Sequence, residues 1–269
     1  MIRYVFVLIF LATSAIALSA TPRYEEAGMV VFEDPSDISN SIYYILLIIG
    51  FTALILLISK WRNLLKNLLY FLVFISIYYV LLPFLSIYGI IVAALLTILL
   101  VVKPNWLIID ISALLLAAGI VSIFGISLEP LPVIVLLSIL AIYDAISVYK
   151  TKHMLSLADS ITDLKIPMLF IIPMKGFDFE KAKDKAAYMG VGDVVMPNIL
   201  VVSSQYFSNS PTLFFIKYPA LFSLIGSIVG MIALIYLVEK KSGGHAGLPL
   251  LNGGAIAGYL ISQFVFLKF

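Results

Sequence analysis

The chain has no cysteine and only two histidines among its 269 residues. Without cysteine, disulfide bonds and thiolate catalysis are both excluded. The two histidines, His153 and His245, leave a zinc protease little to build on, because such sites need several His or Cys ligands. Charged residues are scarce too, at 12% with a net charge of +2, about half the share of a soluble domain. We therefore expect no metal, no cofactor and no nucleic-acid partner.

Long apolar runs take the place of the missing charge. Hydrophobic residues make up 62% of the chain, and its mean hydropathy is +1.13. Apolar runs of about 17–25 residues are typical of membrane-spanning helices. The sequence therefore predicts an all-α polytopic membrane protein embedded in the lipid bilayer. About nine transmembrane helices are predicted, at 2–20, 41–59, 67–83, 85–102, 106–125, 131–149, 187–207, 213–237 and 247–267.

The positive residues predict the orientation of these helices. Fourteen of the 17 Lys and Arg residues fall on the side that holds the N-terminus and the long loop 150–186. Cytoplasmic loops retain such an excess, so we expect both in the cytoplasm and the C-terminus outside, in a multi-pass protein of the cell membrane. The chain then divides into helices one to six (1–150), a cytoplasmic loop (151–186) and helices seven to nine (187–269).

Two segments have alternative interpretations. The first apolar run follows Arg3 and ends in Leu18-Ser19-Ala20, so it is either a retained helix or a cleaved signal peptide. Within the long loop, the apolar stretch 166–173 is bounded by prolines and is too short to span a bilayer. It is either a loop on the membrane surface or a short strand or re-entrant segment beside a site.

Asp144 and Asp193 each lie within an apolar segment. A carboxylate at the centre of a membrane helix costs at least ~2.5 kcal/mol, which marks it as a candidate functional residue. Asp144 lies six residues before Lys150, and Asp193 lies eight residues after Lys185. At 1.5 Å per residue, both lie ~9–12 Å from the cytoplasmic face. Antiparallel neighbouring helices can therefore bring the two carboxylates together.

Two adjacent carboxylates in a medium of low dielectric constant share one proton, because they cannot both ionise. One can then accept a proton from water while the other donates to the scissile carbonyl oxygen, which is the chemistry of an aspartic protease. Two alternatives use the same residues. One is an ion- or proton-coupled transporter or leak channel, and the other is a prepilin or preflagellin peptidase.

Residues near the two aspartates favour proteolysis. Gly190 and Gly192 allow backbone to approach closely beside Asp193. Pro249 opens the last apolar segment at a similar depth and leaves backbone groups free of helical hydrogen bonds. An opened substrate could pair with such backbone as an added strand. Pro249 alone is equally typical of an ordinary helix start.

Three motifs together resemble the presenilin and signal peptide peptidase family. They are Tyr143-Asp144, Gly190-Val191-Gly192-Asp193 and Pro249-Leu250-Leu251, in order and spacing over about 41–267. The last departs from the family's Pro-Ala-Leu by Leu250. The resemblance implies that Asp144 and Asp193 are catalytic.

By the same resemblance, Tyr143, Gly190, Gly192 and Pro249-Leu250-Leu251 shape the site. It implies an intramembrane aspartyl protease whose partners are transmembrane protein substrates. The orientation favours the presenilin branch, and the compact loops resemble archaeal homologues. No accessory subunit is evident, and a homo-oligomer remains open. Asp110 matches no motif, and we expect it to be a hydrogen-bonded structural carboxylate.

Overall fold

The computed structural model describes residues 4–58, 61–151, 166–173, 186–240 and 245–266. Most of these residues are helical. The helices are α1 Val5–Glu26, α2 Ser39–Ile58, α3 Arg62–Leu85, α4 Gly89–Val102, α5 Trp106–Ser127, α6 Pro130–Ile146, α7 Val191–Phe207, α8 Tyr218–Lys240 and α9 Leu248–Phe266.

The predicted count of nine transmembrane helices is not confirmed. Within the described residues, six helical stretches are long and apolar enough to cross a membrane. One of the six is the 40-residue stretch Asn63–Val102, which contains both α3 and α4. The apolar part of α2 is shorter than a full span, and α7 has only 17 residues. The coarser prediction, a mostly helical protein with several membrane spans, is confirmed.

The boundary between α3 and α4 is a true reversal of the chain. Ser86 has φ 50°, and a 3₁₀ turn over Ser86–Tyr88 separates the two helices. A Cβ atom on Gly89 would lie 3.3 Å from the Cβ atom of Leu81. Residues eight apart in one straight helix are about 12 Å apart along its axis, so α4 folds back against α3.

The segment predicted as a loop or strand forms a strand beside α7. Strand β1, Leu169–Pro173, pairs antiparallel with β2, Ala186–Gly190. The predicted span 187–207 is therefore wrong at its start, because its first residues are extended and the helix begins only at Val191. Pairing with β1 gives these residues backbone partners that a helix would otherwise supply. The rest of the long loop lies outside the described residues.

The predicted span 213–237 is also wrong at its start, because its first residues belong to a small hairpin. Strands β3, Thr212–Leu213, and β4, Ile216–Lys217, pair with each other, and α8 begins only at Tyr218. The prediction failed because Phe214 and Phe215 make the sequence look apolar where the chain in fact turns. Their side chains are 93% and 79% exposed. The two small sheets also modify the all-α prediction.

Helices α1, α5 and α7 form the centre of the bundle. Gly125 of α5 faces Val202 of α7 so closely that a Cβ atom would lie 2.4 Å from a Val202 methyl carbon. Ser14 of α1 donates to the amide oxygen of Asn198 at 2.5 Å, and both side chains are buried. The first helix is thus a packed part of the bundle in this structure.

Helices α8 and α9 approach each other more closely than ordinary side chains would allow. Four glycines line this contact: Gly226 and Gly230 on α8, and Gly254 and Gly258 on α9. A Cβ atom added to any of them would lie 2.0–2.2 Å from a backbone oxygen of the facing helix. Small residues spaced four apart permit such contact between membrane helices. These glycines therefore pack α8 against α9 within one chain.

The loop from α1 to α2 packs against the end of the bundle that faces away from the β1–β2 pair. The amide of Glu129, just before α6, donates to the Pro35 carbonyl at 2.9 Å. Asp37 caps α2 through the amide and hydroxyl of Ser39. These hydrogen bonds hold the pKa of Asp37 below its usual value, because they favour its ionised form.

Candidate active site

Asp144 lies near the end of α6 and is almost completely buried, at 3% exposure. Its Oδ2 accepts a hydrogen bond from the amide of Leu248 at 3.1 Å, and the amide of Gly247 also faces this carboxylate. Leu248 is the first residue of α9, where no carbonyl of a preceding turn is available for the amide. Asp144 therefore occupies the place of a cap on the N-terminus of α9.

Asp193 lies in the first turn of α7 and is half-buried. The turn follows β2 directly, so the strand ends at Gly190 and the helix starts at Val191. Two glycines contact the carboxylate. A Cβ atom on Gly190 would lie 3.3 Å from Asp193 Oδ2, and one on Gly247 would lie 3.0 Å from Asp193 Oδ1.

The two carboxylates meet at the backbone that precedes α9. Asp144 contacts the Leu248 amide, while Asp193 lies against Gly247, the residue before it. Asp193 is close enough to Asp144 to be affected by its charge. The structure therefore brings together two acidic groups from α6 and α7, as matched depth on neighbouring helices predicts. Such a pair can hold and exchange one proton.

The flanking glycines differ in their surroundings. Gly190 and Gly247 lie in contact with Asp193, and a side chain at either residue would crowd the carboxylate. Gly192 is exposed, and a Cβ atom there would meet nothing within 4 Å. The space that a side chain would fill at Gly192, the residue before Asp193, is therefore open.

The Pro249-Leu250-Leu251 segment forms the first turn of α9. Proline suits this turn, because its missing amide hydrogen would have no helical partner there. The amides of Leu250 and Leu251 both donate to the Gly247 carbonyl at 3.2 Å. Leu251 is fully buried, whereas Pro249 and Leu250 are half-buried. The motif thus fixes the backbone that the two carboxylates contact.

Tyr143 lies next to Asp144 in sequence but points away from it. Its side chain is 54% exposed, while that of Asp144 is buried. Adjacent helical residues point about 100° apart, so only one of them can face the pair.

Asp110 stands apart from the pair. It lies on α5, and its Oδ1 accepts a hydrogen bond from the amide of Ile171 in β1 at 2.8 Å. The expected hydrogen-bonded carboxylate is confirmed, and its partner is the strand beside the site.

An apolar cavity of about 460 Å³ borders this contact, lined by residues that include Trp106, Leu107 and Phe170. Within the described part of the chain, no three His, Asp or Glu side chains group as metal ligands would.

Asn252, which sequence reasoning did not single out, ties α9 to the helix of Asp144. Its Nδ2 donates to the Leu137 carbonyl of α6 at 3.1 Å, and the side chain is fully buried. The sequence signal was present, since an amide directly after Pro249-Leu250-Leu251 is unusual in an apolar segment. A buried polar side chain needs a partner, and here the partner is α6.

The apolar helices and the buried pair of carboxylates define the class of protein: a polytopic membrane protein with an acidic site inside its helical bundle. The family model described as signal-peptide peptidase, presenilin aspartyl protease matches residues 5–268. The chain belongs to this family, and it is an intramembrane aspartyl endopeptidase.

Two solved structures support the assignment. Both are of a presenilin family intramembrane aspartate protease, one in space group C222 and one in P2. The first is 34% identical, with TM-score 0.77, and the match covers 98% of this chain and 100% of the other. The second is 35% identical, with TM-score 0.73 and 96% coverage of both chains. No curated protein sequence matches the chain.

Proposed function

We propose that Asp144 and Asp193 are the catalytic pair of this intramembrane protease. One observation carries the assignment: the carboxylates of two different helices meet at the backbone before α9, where Asp144 accepts the Leu248 amide and Asp193 lies against Gly247. Family membership supplies the reaction class, peptide-bond hydrolysis within the membrane. In the described part of the chain, Asp110 is the other aspartate within a helix, and its bond to β1 gives it a different role.

The pair would hydrolyse a peptide bond by moving two protons. The ionised member accepts a proton from water as the water oxygen attacks the scissile carbonyl carbon. The protonated member donates its proton to the carbonyl oxygen, which gives a tetrahedral diol. The first member then returns its proton to the departing amine, the C–N bond breaks, and one diol hydroxyl gives a proton back to the second member. The pair again holds one proton.

The residues around the pair would shape the space for the substrate. Gly192 leaves room beside Asp193 for a peptide backbone. Pro249-Leu250-Leu251 would fix the start of α9, and Gly190 would keep β2 close to Asp193. A transmembrane substrate arrives as a helix with all its amides bonded, so it must be opened before it is cut. We infer that the opened segment pairs with exposed backbone near β1–β2 or Gly247–Pro249.

Tyr143, exposed on α6, would contact the substrate or lipid as it approaches. Substrates are transmembrane segments of other membrane proteins, and the family acts within the membrane. We further propose that the chain cleaves them without accessory subunits, as a monomer or as a homo-oligomer. From its compact loops we also propose that the chain is an archaeal member of the family.

We also propose the full topology. All of the helices α1 to α9 would cross the membrane, with the N-terminus and the loop 150–186 in the cytoplasm and the C-terminus outside. The uneven distribution of Lys and Arg supports this orientation. The pair would then lie near the cytoplasmic face, and the segment around Asp37 would lie outside.

Neither alternative function is favoured. A transporter or a prepilin peptidase also uses membrane aspartates, but the family match covers residues 5–268 and is to an aspartyl protease. A transporter would place its aspartates along one path through the membrane. Asp110 instead binds the amide of a strand and stands apart from the other two aspartates.

The test is cleavage of a transmembrane reporter peptide by the purified chain in lipid vesicles. Products are identified by mass spectrometry, with a variant that lacks both aspartates as the blank. Mimics of the tetrahedral intermediate that carry a hydroxyl should inhibit, and chelators should have no effect. Activity that is lost in chelator and restored by zinc would contradict the mechanism.

A further inference from the structure

Asp110 is a half-buried carboxylate that the proposed reaction does not use. It lies in the second turn of α5, in the wall of the apolar cavity beside Trp106. Its Oδ1 accepts the amide hydrogen of Ile171 at 2.8 Å. A carboxylate at this depth is costly, so an interaction that requires an acceptor at this residue is expected to offset the cost.

The hydrogen bond joins Asp110 to the outer edge of β1. Ile171 is opposite Tyr188 of β2 in the antiparallel pairing. Alternate residues of an antiparallel strand direct their amides toward the partner strand or away from it. Because the Ile171 amide donates to α5, it points away from β2, so the bond adds to the strand pairing and does not replace part of it.

The β1–β2 pair leads directly to Asp193. The pairing runs from Pro173–Ala186 to Leu169–Gly190, and the Val191 amide continues it by donating to the Met168 carbonyl at 3.1 Å. Gly190 then contacts the Asp193 carboxylate. Helix α5 therefore connects to Asp193 through Asp110, β1 and β2, in that order.

We propose that Asp110 is a positioning residue of this protease. By bonding Ile171 it anchors β1 to α5, which fixes β2 and, through β2, the distance of Asp193 from Asp144. This inference rests on the proposed catalytic pair and adds a third aspartate that acts through the other two. What the role needs is an oxygen acceptor at residue 110; the negative charge is not required.

The requirement for an acceptor gives a matched pair of variants. Asp110→Asn keeps a carbonyl oxygen for Ile171, while Asp110→Leu removes the acceptor at similar size. Leu107→Ala, in the same helix and the same cavity wall, serves as the control for loss of side-chain volume. Each variant is assayed on the transmembrane reporter in vesicles, with kcat expressed per active site titrated by a tight diol-mimic inhibitor.

Asp110→Leu is expected to lower kcat per titrated site by at least tenfold, with KM changed by less than about threefold. A shift of about 1 Å at a reacting group can reduce the rate roughly 100-fold. The ratio of products cut at neighbouring peptide bonds should also change. Asp110→Asn and Leu107→Ala should stay within about threefold of the unchanged protein and keep its product ratio.

Ile171 provides a reciprocal test if Asp110→Leu does not fold. Ile171→Pro removes the outward-pointing amide hydrogen, which a strand edge tolerates, together with the isoleucine side chain. Ile171→Ala keeps that hydrogen and removes the side chain. The proline variant should lose kcat and change the product ratio as Asp110→Leu does, beyond any effect of alanine.

Two outcomes would overturn the proposal. One is an unchanged kcat and product ratio in Asp110→Leu or, if that variant does not fold, in Ile171→Pro. The other is an equal loss in Asp110→Asn and Asp110→Leu, which would assign the role to charge. A failure of the catalytic pair itself gives a different result, because Asp144→Asn would then still cleave.

Discussion

At the scale of single residues, the two site carboxylates have unequal surroundings. Asp144 is buried and hydrogen-bonded to the start of α9, while Asp193 is half-buried with open space at Gly192 beside it. This asymmetry leaves Asp193 the more accessible member. We expect substrate to reach the pair from the side of Asp193, next to the exposed Gly192.

Asp144→Asn and Asp193→Asn should each abolish cleavage and leave the fold nearly intact. An amide cannot exchange the proton that hydrolysis requires, but its oxygen can still accept the Leu248 amide at residue 144. Removing an intramembrane charge should not destabilise the bundle. Cleavage is measured on the reporter, and folding is measured by thermal unfolding in detergent.

Asp110→Asn is the matched control for these two substitutions, since it makes the same chemical change on α5. It should retain most activity. Substantial proteolysis by either Asp144→Asn or Asp193→Asn would exclude the pair as the catalytic group. Loss in Asp110→Asn equal to theirs would mean that cleavage also requires the charge of Asp110.

Activity should pass through a maximum as pH is varied. At low pH both carboxyls are protonated and neither can accept a proton from water. At high pH both are ionised and neither can donate to the carbonyl oxygen. Because one carboxyl must be ionised and the other protonated, kcat should follow a bell-shaped profile. The two apparent pKa values of that profile belong to the pair and not to either residue. A rate that rises to a plateau and stays there at high pH would contradict a shared proton.

At the scale of secondary-structure elements, the close contact of α8 and α9 sets where α9 begins. Gly230→Ala should lower both cleavage and stability. An added Cβ atom would lie 2.2 Å from the Leu250 carbonyl oxygen, and backbone atoms cannot move aside without shifting the helix. We expect cleavage to fall at least tenfold, because Leu248 and Gly247 would move with the first turn of α9.

Gly253→Ala, in the facing helix α9, is the control for this substitution. Nothing lies within 4 Å of a Cβ atom there, and alanine favours a helix over glycine by about 1 kcal/mol. The control should keep activity and raise the thermal unfolding temperature. Equal losses in both variants would mean that the close contact between α8 and α9 does not govern the result.

Pro249→Ala should reduce cleavage sharply without moving Asp144 or Asp193. Alanine has an amide hydrogen and accepts helical geometry at the preceding residue, so α9 could extend toward Gly247. The Leu248 amide would then leave Asp144. The measured quantity is kcat per titrated site, with Pro219→Ala as control, since Pro219 has the same place in α8. Unchanged kcat in Pro249→Ala would remove this motif from the proposed site.

At the scale of the whole molecule, the bundle has two ends that differ in structure. One end holds the loop at Pro35 and the start of α6, and the other holds β1, β2 and the start of α9. The charge distribution predicts that the second end is cytoplasmic. Because the chain has no cysteine, single introduced cysteines can test this without background.

Glu33→Cys and Asn209→Cys should react with a membrane-impermeant maleimide in intact cells, whereas Asn105→Cys should react only after the membrane is opened. All three residues are exposed in the structure. The measurement is a mass shift of the labelled chain on a gel. The reverse pattern would invert the topology and place the pair near the outer face.

Much of the site could be predicted from local sequence. Asp144, Asp193 and Pro249 lie in apolar segments, where a carboxylate or a proline has few ordinary explanations. The α8–α9 glycines were also predictable, because their spacing of four repeats on both helices. The roles of Gly247 and Leu248 were only partly visible, since it is their backbone atoms that contact the carboxylates and a sequence pattern describes side chains.

Apolar composition determined the membrane environment and the helical character, because every backbone amide in lipid must be bonded within the chain. It did not determine where helices begin, because residues 186–190 form a strand and residues 212–217 form a hairpin. Pairing partners decided those cases, and pairing depends on distant residues. The meeting of Asp144 with Leu248 and the bond from Ile171 to Asp110 were likewise decided by tertiary structure alone, because they join segments 104 and 61 residues apart.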